Sequence, residues 1–390
     1  MKAGVFRSVS RLSARGRVVS SKWVFKVKRQ SDGSIERYKT RLVARCFSQK
    51  PGIDYDELFA PVAKFQSIRL LLALAAMHNP ELHQMDVKTA FLYGSLEELV
   101  FMEQPEGFER GKDMVWQLIK ALYGLKQSPR GWYKELDGAL KSLGFTRTVS
   151  DHSIYVRNNS EGLIIVGVYV DDLTIPAANP NTLARFKTEM SKRYEMKDLG
   201  ELHFILGLQV KRDRVARTLH LSQKQYIDTV LERFEMLNCK PAKSPLRSKT
   251  VMSVRRDHEE RADQARYLTT LGSLVYAMLG TRPDLAYPVG LLGRFASDPS
   301  VTHWEGVLSV FQYLKHTSDL GITYSGDVNS LMVSAMQTSP LVMLIDVESQ
   351  VATSSGCGEE RSAGNPRSNP RPRSPQAMQN MSPLLRLLVN

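Results

Sequence analysis

Asp171 and Asp172 stand side by side in an otherwise apolar, β-branched run over 163–175. A charge buried beside such a run is costly unless something pairs with it. Clustered carboxylates suit hard divalent cations, because Mg²⁺ takes oxygen ligands and often bridges to substrate phosphates. The run predicts two short strands with the acidic pair at or near the turn between them. On these residues alone, a hairpin turn carrying two solvated acids reads the same way.

Other elements must position that pair. Residues 22–48 alternate in strand fashion, with Ser31-Asp-Gly-Ser34 as the turn. A buried helix is predicted over 66–78, with Ser67 as its N-cap. A strand then runs into Met85-Asp86-Val87-Lys88, leaving Asp86 near its end. Ser128-Pro129 marks a loop before a helix over 131–143, and 179–194 is amphipathic and helical. Strands return at 203–210 and 219–221, and helices dominate 223–316. The mixture predicts an α+β fold with a helical appendage and no internal repeat.

Bulk properties bound the partners. The 390 residues allow two or three domains, and 53 basic against 40 acidic residues give +13, which points to a polyanion such as nucleic acid. Cys46, Cys239 and Cys357 lie far apart without metal-ligand spacing, as expected in a reducing compartment. The longest apolar runs, such as 70–77, are too short for a bilayer, so no membrane partner is expected. The first 30 residues hold nine Lys or Arg and no acid. A mitochondrial presequence has this composition; an irregular, nucleic-acid-facing extension over 1–20 is the preferred reading, because strand-like sequence follows at once.

Seven blocks then arrive in one order. They are Lys22-Trp-Val-Phe-Lys-Val-Lys28, Tyr38-Lys-Thr-Arg-Leu-Val-Ala-Arg45, Gln84-Met-Asp-Val-Lys-Thr-Ala-Phe-Leu92 and Met102-Glu-Gln-Pro-Glu-Gly-Phe108, then Ala121-Leu-Tyr-Gly-Leu-Lys-Gln-Ser-Pro-Arg-Gly-Trp132, Tyr169-Val-Asp-Asp172 and Thr281-Arg-Pro-Asp284. Together they closely resemble the reverse transcriptase of copia-type retrotransposon Pol polyproteins, over about residues 21–327. The resemblance implies an RNA-directed DNA polymerase with a right-hand fold: fingers and palm over 21–212, and a mainly helical thumb and connection over 213–327. It implies two Mg²⁺ ions, with Mn²⁺ as a substitute, an RNA or DNA template with its primer, and deoxynucleoside triphosphates. The competing class is a catalytically silent relic that at most binds nucleic acid. Such elements work inside cells, in cytoplasmic particles or in the nucleus.

Residue by residue, Asp86 and Asp171 match the family's two metal-binding aspartates, and Asp172 its third acidic position, in a supporting role. Two metal ions about 3.5–4 Å apart would clamp the attacking and leaving oxygens of nucleotidyl transfer. Phe91 resembles the steric gate that crowds a ribose 2′-hydroxyl; the bland reading is a core phenylalanine. Lys39 and Arg41 fit the grip on the incoming triphosphate, as a point charge and a bidentate fork. Gln127 matches a block that contacts nucleotide and template, and Lys224 is a candidate backbone contact on a thumb helix. Two positions depart from the family: Cys46 replaces a usual glycine, and Pro176 follows the hairpin. The upstream protease and integrase regions are expected to be missing and the start of the polymerase region clipped.

The family's next domain is a ribonuclease H, yet nothing after Asn329 matches it as written. If the coding frame slipped near Ser330, each hidden codon would join the last base of one codon to the first two of the next. Read so, 331–354 permits DGFSDADFAAGDVDRRRITSGYV and 363–370 permits WKSKKQP. The stretch on to Pro383 permits PTAVASSNAEYVA. These strings resemble, in order, the family's ribonuclease H blocks. The expectation for 328–390 is an out-of-frame remnant that is disordered and lacks ribonuclease H activity; a functional basic tail is the alternative.

Overall fold

The computed structural model describes residues 5–10, 18–29, 34–52, 54–246, 252–326, 332–334 and 342–344. Two compact units emerge: the first takes residues up to 64 together with 83–200, and the second takes 65–82 and continues from 201. One division between them falls at Gly200/Glu201. The helix Phe65–His78, expected in the first region, groups with the second because it packs on the strands Thr218–Ser222 and Gly321–Ser325.

The first unit is built on a six-stranded sheet, ordered Met196–Glu201, Glu81–Val87, Asp172–Ala177, Gly162–Tyr169, Ile154–Asn159, Thr146–Arg147. Gly162–Tyr169 and Asp172–Ala177 are the predicted antiparallel hairpin, and their apolar run is buried because helices cover it. Those helices are Ser128–Ser142, carrying Trp132, Leu136 and Leu140 into the core, and Pro180–Arg193, carrying Leu183, Phe186 and Met190. Each such fully buried large side chain contributes about 1.5–3 kcal/mol. Asn179 caps the second helix by accepting from the Thr182 N–H, so the helix starts one residue later than the amphipathic pattern suggests.

Two smaller sheets complete this unit. Four strands run in the order Phe6–Ser10, Met114–Lys120, Ser95–Met102, Val18–Val19. Among the described residues, Ser21–Arg29 and Ile35–Ala44 pair only with each other. Leu42 and Ala44 at the base of this hairpin are buried, whereas Phe25 (73% exposed) and Tyr38 (75%) stand in solvent.

The second unit surrounds a core contributed by the helices Lys224–Arg233, Gln264–Gly280, Ala286–Gly293 and Val301–His316. Its sheet begins Phe204–Ile205, Leu208–Asp213, Thr218–Ser222, Gly321–Ser325 and is continued by backbone at Met332–Ser334 and Val342–Leu344. The expectation for 328–390 otherwise falls outside the described residues. Among those described, no helix is long and apolar enough to cross a membrane.

Candidate active site

The hairpin and the neighbouring strand bring Asp86 and Asp171 to one place. The Val87 N–H donates to the Asp171 carbonyl at 2.8 Å, so the residue after one aspartate anchors the backbone of the other. Both line a cavity of about 570 Å³, with Lys39 and Arg41 from the exposed hairpin and Tyr123 from the loop before the first helix. Arg37, Lys88 and Lys197 also border it. Two carboxylates among five basic side chains match a polyanionic ligand accompanied by cations.

Electrostatics agrees with that reading. Burial raises the Asp171 carboxyl and Asp86 adds to the rise, while Arg41 and Lys39 pull it back. Asp172 is pushed up to about 6, mainly by burial and then by Asp171 and Asp86. Its one opposing influence is the Gln84 amide, which donates to Asp172 Oδ1 at 3.3 Å. Asp172 does not border the cavity.

The remaining expected residues divide. Phe91 lies on the short 3₁₀ turn Ala90–Tyr93, packed against the core, and its ring meets Tyr123 at 4.7 Å. Tyr123, not Phe91, borders the cavity, and the Arg41 guanidinium lies 5.1 Å from the Tyr123 ring centre. Gln127 is 3% exposed and outside the cavity. Its amide is committed: Nε2 donates to the Asp54 carbonyl at 3.1 Å, and Oε1 accepts from Gln49 at 3.1 Å. A nucleotide contact through this amide would cost it the bonds to Asp54 and to the buried Gln49. Lys224 lies in the second unit, ion-paired to Asp319 at 3.0 Å, with Asp228 at 3.8 Å.

The two departures from the family pattern are accommodated. Cys46 starts a 3₁₀ turn and has no left-handed backbone, so a side chain costs little there. Pro176 is the next-to-last residue of its strand, where the missing N–H leaves the register of the Asp172 end intact.

Tyr123 and Gln84 were missed by sequence reasoning. Tyr123 sits four residues before Gln127 in the same block, and spacing alone could not say which side chain faces the cavity. Gln84 was detectable as a polar residue at a buried register position of a strand, two residues ahead of Asp86.

Among the described residues, no three His, Cys, Asp or Glu side chains gather closely enough to hold a metal by themselves. Two half-buried carboxylates are nonetheless a fitting donor set for Mg²⁺, which keeps waters and completes its octahedron with substrate phosphates.

Comparison with known proteins gives one consistent answer. The profile of a family described as "Reverse transcriptase (RNA-dependent DNA polymerase)" matches residues 4–248. A retrovirus-related Pol polyprotein from transposon TNT 1-94 of Nicotiana tabacum is 45% identical over 333 residues, covering 83% of this chain and 25% of the polyprotein. The Pol polyprotein from transposon RE1 of Arabidopsis thaliana is 40% identical over 307 residues, 78% of this chain and 21% of its own. A Ty5-1 transposon protein of Saccharomyces cerevisiae is 37% identical over 253 residues, 64% of this chain and 81% of its own. The chain thus spans about a quarter of the length of the TNT 1-94 polyprotein.

Proposed function

Because the chain belongs to the reverse transcriptase (RNA-dependent DNA polymerase) family, we propose that it copies RNA or DNA templates by adding deoxynucleotides to a primer 3′-hydroxyl, as the polymerase region of a copia-type Pol polyprotein. The observation that carries this is the shared cavity of Asp86, Asp171, Lys39 and Arg41. In this reading the six-stranded sheet and its two helices are the palm, the Ser21–Arg29/Ile35–Ala44 hairpin belongs to the fingers, and helices of 213–327 form thumb and connection.

Asp86 and Asp171 would hold the divalent cations, Mg²⁺ or Mn²⁺. Such ions, when bound, neutralise charge on the attacking and leaving oxygens. Lys39 and Arg41 grip the triphosphate from the other side of the cavity, with Tyr123 under the Arg41 guanidinium. Phe91 backs Tyr123, and together they make an aromatic wall against which the ribose is sorted. Asp172, kept partly protonated near neutral pH, limits the repulsion that three adjacent carboxylates would create. Lys224 would exchange its acidic partners for a nucleic-acid phosphate, a salt-sensitive contact without sequence information.

The test is Mg²⁺-dependent primer extension on an RNA template by the full chain and by Asp171→Asn. Extension by the wild type that the variant loses supports the enzyme. No extension by the wild type makes the chain a silent relic. For 328–390, we propose an out-of-frame ribonuclease H remnant, and coding DNA whose shifted frame does not spell the three strings ends that idea.

A further inference from the structure

The turn that carries the aspartates is strained, and its strain has a specific restraint. Tyr169 pairs with Asp172 across the hairpin, leaving Val170 and Asp171 as a two-residue turn. Val170 has φ +59°, a left-handed conformation at a β-branched residue. Glycine is the residue preferred there in the matching hairpin turn, and a non-glycine residue in such a conformation costs about 1–3 kcal/mol. Something outside the turn must hold it.

Two successive carbonyls of the turn are bound from outside. The Val87 N–H takes the Asp171 carbonyl at 2.8 Å. The Trp132 indole Nε1–H donates to the Val170 carbonyl at 2.7 Å. The second bond orients the peptide between Val170 and Asp171, and thereby the bond along which the Asp171 side chain leaves the backbone. Trp132 is itself immobilised: it is 2% exposed, with Tyr194 at 5.3 Å and Tyr93 at 6.1 Å between ring centres. A rigid donor on a buried helix face is what a strained turn requires.

We propose that Trp132 is a positioning residue for the reaction, its indole N–H holding the strained Val170–Asp171 peptide so that Asp171 faces Asp86. The proposal rests on the reading of Asp171 as a metal ligand. Trp132 touches no reacting atom, and its ring fills the core whether or not its N–H is used. The N–H is therefore the part to remove.

The experiment compares the full chain with Trp132→Phe, Val170→Gly, the double variant and Asp171→Asn. Primer extension is measured beside Mn²⁺ binding by electron paramagnetic resonance. Trp132→Phe is expected to lower kcat and weaken Mn²⁺ binding about tenfold each, with the nucleotide KM within about twofold. In the Val170→Gly background, where glycine removes the strain, the same substitution is expected to cost no more than about twofold. If Trp132→Phe does not fold, 3-benzothienylalanine at position 132 keeps the bicyclic shape without the donor.

Equal losses in both backgrounds, or unchanged Mn²⁺ binding in Trp132→Phe, would overturn the proposal. Those outcomes leave the metal reading standing as long as Asp171→Asn loses Mn²⁺. If Asp171→Asn keeps full Mn²⁺ binding and extension, the metal reading itself falls.

Discussion

The carboxylate turn and the Ser21–Ala44 hairpin face the same cavity but are supported in opposite ways. The turn emerges from a sheet covered by two helices, and both of its carbonyls are tied from outside. The hairpin pairs with itself, buries Leu42 and Ala44 at its base, and leaves Phe25 and Tyr38 in water. Metal-binding groups need fixed geometry, because a displacement of about 1 Å can cost about a hundredfold in rate. A grip on a substrate that must enter and leave is better placed on an element of low local stability.

This contrast can be broken in several ways. The largest effect is expected from Asp86→Asn: primer extension should fall by about a thousandfold or more, the scale of several kcal/mol of charge stabilisation, without loss of Tm. A fall in Tm matching the lost activity would make Asp86 structural. Next, Leu173→Ala, in the strand after the turn, should cost about 2–5 kcal/mol in denaturant unfolding. Phe25→Ala on the hairpin should change stability by no more than about 0.5 kcal/mol. Comparable values for the two would erase the proposed difference in support.

Arg41→Ala should raise the nucleotide KM by about ten- to a hundredfold, as the loss of one charge-assisted contact predicts, with kcat and Tm changed far less. A kcat loss at constant KM would move Arg41 from gripping to chemistry. The smallest effect concerns Asp172, raised from 3.8 to about 6 by burial and by its acidic neighbours. The folded chain binds that proton more tightly than the unfolded one, so the stabilisation is full below 3.8 and fades as pH rises through about 6. Asp198 behaves oppositely: burial raises its carboxyl, but Lys187 outweighs this and lowers it, so its contribution is lost on acidification. In EDTA, Asp172→Asn should therefore remove a decline in Tm between about pH 4 and pH 6, and an unchanged profile would show the carboxyl is not raised.

Much of this site was legible in the residues. Asp86 stood near the end of a predicted strand and Asp171 at the turn of an apolar, β-branched run, and Lys39 and Arg41 alternated on a strand with a clear turn before it. The helix 180–193 announced itself through its amphipathic pattern, one residue too long at each end. The block around Gln127 is where the local sequence says least. In sequence, a conspicuous polar residue before Ser-Pro looks available to a ligand. In the fold, the chain turns so that Tyr123 faces the cavity and the Gln127 amide is bonded to Gln49 and Asp54. Both partners lie more than 70 residues away in the chain, beyond the reach of any local pattern.

The sequence by itself determined the family, the places of the two aspartates at a strand end and at a hairpin turn, and the basic hairpin, because each is written in local pattern and residue type. Only the tertiary structure decided which aromatic ring meets the cavity, that Asp172 is held from behind by Gln84, and that Trp132 restrains a left-handed valine. Those are relations between residues separated by 38 positions for Trp132 and Val170 and 88 for Gln84 and Asp172. They exist only when strands pair and helices pack, which is where a costly buried carboxylate finds the partners that let it remain.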